Sequence, residues 1–133
     1  MSSTNHYSTL LIAACDAMSN SHSPYSKYRV GAAIIDSSGS VYIGCNVENA
    51  AYGSTICAEA AAVANAIASG ASQPLVAIAV VTSTAGTPCG NCRQILAEVA
   101  PDCKIFLATP QTLNTPQETT LTALLPDPFT RLS

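Results

Sequence analysis

Charge is what this sequence has least of. Among 133 residues only five are Lys or Arg and eight are Asp or Glu, for a formal net charge of −3. A protein that grips a nucleic-acid backbone needs a basic stripe to neutralise phosphates, so no nucleic-acid partner is expected. The same shortage argues against an anionic membrane surface. Long hydrophobic runs are missing too. The longest apolar stretch, Leu75 to Val81, is far too short to cross a bilayer. Met1 to Tyr7 is polar, so no secretory core opens the sequence and a cytoplasmic location is expected. There is no internal repeat and no low-complexity tract, which leaves one domain over residues 1–133 as the expectation.

What is present is apolar. Hydrophobic residues make up 48% of the chain, which excludes disorder. A mean hydropathy of +0.29 in so small a chain points to surface hidden in an oligomer. Six cysteines without a signal peptide are expected to be reduced thiols, and clustered thiols then suggest metal or catalysis. The periodicity of apolar residues predicts a helix over His6 to Met18 and strands at Val30 to Ile35 and Val41 to Val47, joined as a hairpin by Asp36-Ser37-Ser38-Gly39. Glu48 to Ile56 reads as a functional loop. An Ala-rich helix follows from Cys57 to Ser69, then a buried strand from Leu75 to Thr82 and a helix from Cys89 to Val99. A short strand is expected at Lys104 to Ala108, a strand or turn near Gln111 to Pro116, and a last helix over Thr119 to Leu124. This order implies an α/β fold: helices on both faces of a mixed sheet of about five strands, three layers in all.

Two segments carry the chemistry. Pro88-Cys89-Gly90-Asn91-Cys92 places a Cys-x-x-Cys at a helix start, where unpaired N–H groups favour thiolate over thiol. Alone it fits a metal clasp, a redox dithiol or two buried cysteines. Cys57-Ala58-Glu59 opens another helix. If the two helix starts face each other, Cys57, Cys89 and Cys92 form a three-thiolate zinc site. Its fourth position stays open for a water whose proton Glu59 could take. Against this stand bland readings: Glu59 as a solvated first-turn carboxylate, Cys57 as packing, or a closed structural site completed by Cys15, Cys45, Cys103, His6 or His22. None of those candidates lies at a clasp spacing from the others.

These motifs resemble the zinc-dependent cytidine deaminases, in their small homotetrameric, three-cysteine form. The resemblance extends in order through Pro24-Tyr25-Ser26-Lys27-Tyr28, Val30-Gly31-Ala32-Ala33, Gly44 to Ala50, Arg93-Gln94, and Leu124-Leu125-Pro126 with Phe129. It covers nearly the whole chain. It implies one zinc per subunit on the three cysteines and hydrolytic deamination of cytidine or deoxycytidine to uridine or deoxyuridine in pyrimidine salvage, with Glu59 moving the proton. It further implies that Asn46 and Glu48 bind the ribose hydroxyls, that Tyr28 stands beside the base where Phe is usual, and that Ala58 helps orient the pyrimidine edge. Ala50, Tyr52 and Phe129 would reach into a neighbouring subunit's site, so that each active site is shared within a homotetramer.

Two positions depart from the family. Ala60 stands where Arg commonly offsets the thiolate charge, leaving helix N–H groups or Arg93 to compensate a net charge of about −1 on a three-thiolate zinc. Arg29 stands where Pro is common. The competing readings are a deaminase of another aminopyrimidine nucleoside such as an antibiotic, a nucleic-acid editor, a non-enzymatic zinc module with four ligands, and a thiol–disulfide protein that would not need Cys57.

Overall fold

A computed structural model describes residues 7–130. The elements run α1 (Ser8–Met18), β1 (Val30–Ile35), β2 (Val41–Cys45), a 3-10 turn (Tyr52–Ser54), α2 (Ala58–Ala68), β3 (Ala77–Thr82), α3 (Gly90–Val99), β4 (Lys104–Ala108), β5 (Gln117–Thr120) and α4 (Leu121–Leu124). The five strands form one sheet in the order β2-β1-β3-β4-β5. β1 is antiparallel to both β2 and β3, β3 and β4 are parallel, and β5 returns antiparallel to β4. The one parallel pair is the one whose connection is a helix, α3, as a crossover requires.

The pleat sorts β3 into two cores. Ile78 and Val80 join Ala32, Ile34, Ile105 and Leu107 under α2 and α3. Ala77, Ala79 and Val81 join Ala33, Phe106 and Ala108 under Leu10, Leu11 and Ala14 of α1. Every residue of β3 is therefore buried, which is why its sequence reads as an unbroken apolar run. The result is the expected three-layer sandwich. Among the described residues, no helix is long and apolar enough to cross a membrane.

Two glycines let the helices close on the sheet. A Cβ on Gly31 would stand 2.0 Å from the Ala14 carbonyl oxygen of α1, and one on Gly44 would stand 2.4 Å from the Ala62 nitrogen of α2. Both requirements come from backbone proximity, on opposite faces of the sheet.

Element ends differ from expectation for local reasons. β2 stops at Cys45 because Asn46 turns its side chain back onto Val30, and Val47 instead makes isolated bridges to His22 and Ile56. β3 begins at Ala77 rather than Leu75. Leu75 is already committed, its N–H donating to Val99 O. Thr119 and Thr120 belong to β5, not to the last helix: Thr119 pairs with Ile105, and the Thr120 hydroxyl caps α4 by accepting from Ala123 N. Residues 111–116 form turns. The expected helix start at His6 lies outside the described residues.

Candidate active site and metal centre

Two helices start at the same place. Cys57 is the N-cap residue of α2 and Cys89 that of α3, both with extended backbone and neither capping through its side chain. Their sulfurs are thereby free to point at one another. Cys92, in the first turn of α3, is buried beneath them. The three Sγ atoms lie within 4.8 Å of one another. A tetrahedral zinc with bonds of about 2.3 Å needs its sulfurs about 3.8 Å apart, so the set fits.

The electrostatics fit as well. Burial opposes ionisation of Cys89, yet N–H donation from Cys92 and Asn91 and the thiols of Cys92 and Cys57 together hold its thiol below the ordinary range. Burial pushes Cys57 up, with further repulsion from Cys89 and Glu59. Burial, then the charges of Glu59, Cys57 and Cys89, push Cys92 up as well. Cys57 and Cys92 thus resist ionising beside Cys89, a repulsion that a divalent cation would relieve.

Glu59, in the first turn of α2, is only 7% exposed, and burial raises its carboxyl above the usual range. This excludes the solvated-surface reading. It lines a cavity of about 250 Å³ with Cys57, Ala58, Cys89, Tyr28 and Asn46. Among the described residues, no other His, Cys, Asp or Glu joins the three sulfurs as a possible ligand group. The closed structural site therefore lacks its fourth protein donor among Cys15, Cys45, Cys103 and His22; His6 lies outside the described residues. A dithiol protein would not need the third sulfur.

The remaining expected site residues divide into groups. Asn46 is nearly buried. Its Oδ1 accepts from Val30 N at 3.0 Å and from the Ser21 hydroxyl, while Nδ2 donates to Tyr28 O at 2.8 Å. One Nδ2 hydrogen is left for a ligand. Glu48, Ala50 and Tyr52 line an adjoining cavity of about 380 Å³, and Thr55 borders both cavities. The Ser26 hydroxyl and N–H, with the Tyr25 N–H, bond to the Glu48 carboxylate and hold its pKa below the usual value. Tyr52 is 92% exposed and Phe129 69%. Phe129 is not at this chain's own cavity. Its backbone N and O are gripped by the Gln94 side chain, beside Ala97 and Glu98.

Arg93 and Arg29 each acquire a role. Arg93 makes its hydrogen bonds away from the thiols: Nε donates to Pro88 O, Nη1 to Leu124 O and Nη2 to Thr87 Oγ1. The Cys89 sulfur takes its donors instead from the backbone N–H groups of Cys92 and Asn91 at the α3 start. Arg29 donates to Ser19 O at the end of α1, a helix C-terminal cap. Sequence reasoning missed Thr82, Gly86 and Thr87 on the cavity wall; the only available signal was their place directly before the Cys-x-x-Cys.

Comparison with known proteins decides the family. A family model described as "Cytidine and deoxycytidylate deaminase zinc-binding region" matches residues 4–108. The chain belongs to the cytidine and deoxycytidylate deaminase family. A cytidine deaminase of Halalkalibacterium halodurans is 44% identical over 124 residues, covering 91% of this chain and 92% of that protein. The crystal structure of the cytidine deaminase from Burkholderia pseudomallei superposes with a TM-score of 0.84 at 42% identity, covering 91% of this chain and 97% of that one. That from Mycobacterium leprae gives 0.78 at 39% identity, covering 91% and 98%.

Proposed function

We propose that this deaminase-family chain is a cytidine deaminase, hydrolysing cytidine and deoxycytidine to uridine and deoxyuridine plus ammonia in pyrimidine salvage. The observation that carries the reading is the buried Glu59 carboxyl on the wall of the same cavity as Cys57 and Cys89. Cys57, Cys89 and Cys92 would hold one zinc per subunit. That ion would supply Lewis-acid polarisation of a water.

The chain's own residues do the rest. Glu59 takes the proton of the attacking water and delivers it to ring N3. The water's oxygen becomes bonded to C4. Glu59 then takes the second proton from that C4 hydroxyl and passes it to the amino nitrogen; the C4–N bond breaks as the C4 carbonyl forms, and ammonia leaves. A carboxyl raised by burial is suited to both accepting and returning a proton near neutral pH. The Ala58 backbone and Glu59 carboxyl orient the pyrimidine edge, and the Tyr28 ring flanks the base. The free Nδ2 hydrogen of Asn46 and the remaining lone pairs of Glu48 bind the ribose hydroxyls.

The exposed Tyr52 and Phe129 rings support a homotetramer with shared sites, in which Ala50, Tyr52 and Phe129 complete a neighbour's cavity. Ile43 on edge strand β2 and Ile56 on the loop before α2 are 46% and 47% exposed, apolar surface that assembly would cover. A cytoplasmic setting suits reduced thiols. The test is ammonia release from cytidine by purified protein, repeated after chelation and after zinc return. Turnover that is lost and then restored is expected. A zinc-replete protein that leaves cytidine intact overturns the proposal.

A further inference from the structure

The Tyr28 hydroxyl has a partner 56 residues away. It shares a 2.8 Å hydrogen bond with Thr84 Oγ1. Thr84 belongs to the loop that leads into Cys89, and the loop is built to present it. The Thr82 hydroxyl, buried at the end of β3, accepts the N–H groups of both Thr84 and Gly86. Between them Ala85 is held at φ 56°, the left-handed region where glycine is usual. Gly86 passes close beside the pair: a Cβ there would stand 3.4 Å, ordinary contact distance, from both the Tyr28 and Thr84 hydroxyls. The other end of Tyr28 is equally fixed: its N–H donates to Ser26 Oγ and its carbonyl accepts from Asn46 Nδ2.

We infer that Thr84 is a positioning residue for substrate: its bond to the Tyr28 hydroxyl fixes that ring as a wall of the base cavity and ties the Asn46 side of the site to the loop before Cys89. The inference rests on the deaminase reading above. Without the bridge the ring loses the hydroxyl anchor that fixes its orientation in the cavity wall. Productive binding then weakens while the groups that move protons stay where they are.

The experiment compares Thr84→Val, which keeps the shape and loses the hydroxyl, with Thr84→Ser, which keeps the hydroxyl. In zinc-loaded protein, Thr84→Val is expected to raise KM about fivefold, the worth of one neutral hydrogen bond, with kcat changed far less. Thr84→Ser is expected to restore the wild-type KM. Tyr28→Phe removes the same bond from the other side, and combining it with Thr84→Val is expected to add little. A Thr84→Val KM equal to wild type, or full additivity of the pair, overturns the inference. Should zinc-loaded wild type leave cytidine untouched, the deaminase reading fails, and the bridge is judged separately by NMR of the Tyr28 ring. Its resonances are expected to move in Thr84→Val and not in Thr84→Ser; an unmoved spectrum overturns the bridge.

Discussion

Gly44→Ala should damage catalysis from outside the cavity. Gly44 lies on β2, and its missing side chain is what lets α2 approach. An added Cβ would stand 2.4 Å from Ala62 N, 2.6 Å from Ala58 O and 2.9 Å from the Ala61 carbonyl carbon. All three are backbone atoms of the helix, so no rotamer change relieves them. Reaching ordinary van der Waals distance requires α2 and β2 to part by about an ångström. Overpacking of this kind costs about 1–3 kcal/mol, here weighted to the upper end because the obstacle is main chain. The catalytic cost is larger in proportion. α2 carries Glu59 in its first turn and has Cys57 as its N-cap residue, and displacing reacting groups by about 1 Å can lose about 10²-fold in rate. Gly31→Ala is the control. Its Cβ meets the Ala14 carbonyl oxygen at 2.0 Å, so it too should destabilise, but it moves α1 on the opposite face of the sheet. Urea unfolding and kcat per folded, zinc-loaded molecule separate the two effects. Both variants should lose stability, and only Gly44→Ala should lose kcat by an order of magnitude or more. Equal kcat losses, or a Gly44→Ala protein with wild-type rate, would refute the idea that this contact sets the position of Glu59.

Three further outcomes are expected. Asp36 is buried in the hairpin turn. The Ser72 N–H, against the opposing effect of burial, and then the Ser38 hydroxyl and the N–H groups of Ser40 and Ser38 hold its pKa well below the carboxylate norm. A depressed folded pKa gives stability that is present above the unfolded value of about 3.9 and lost as pH falls below it; Asp36→Asn should flatten that acid limb in urea titrations from pH 6 to pH 2, and an unchanged limb would count against it. Arg93→Ala frees Thr87, Pro88 and Leu124 together; it should lower Tm and speed zinc loss to a chelator, and Arg93→Lys should not restore either, since one ammonium cannot reproduce the fork. If sites are shared, separately inactive Glu59→Gln and Phe129→Ala subunits, unfolded together and reassembled, should regain part of the activity; no recovery in mixed oligomers would argue for self-sufficient sites.

The sequence exposed the chemistry more fully than the surroundings. Cys89 and Cys92 were legible because a metal clasp demands a fixed spacing within one helical turn, and Cys57 with Glu59 because they open a second helix. β3 was legible because burial on both faces leaves an unbroken apolar run. What escaped depends on contacts between distant segments. Arg93 was a candidate for neutralising the thiolates, but its side chain is spent on Pro88 and Leu124. Arg29 caps α1 through Ser19, and Thr84 meets Tyr28 from a loop 56 residues away. No local pattern announces such pairs. Thr119 was misplaced because its pairing with Ile105 outweighs a helical pattern only a few residues long.

The central claim is that Glu59 moves the proton and does not bind the metal. Glu59→Gln keeps the size of the side chain and removes its ability to ionise. Metal analysis and cytidine turnover on one preparation therefore test it directly. The account predicts wild-type zinc content with turnover reduced about 10²–10⁴-fold. Zinc lost along with activity, or zinc kept with activity near wild type, would contradict it.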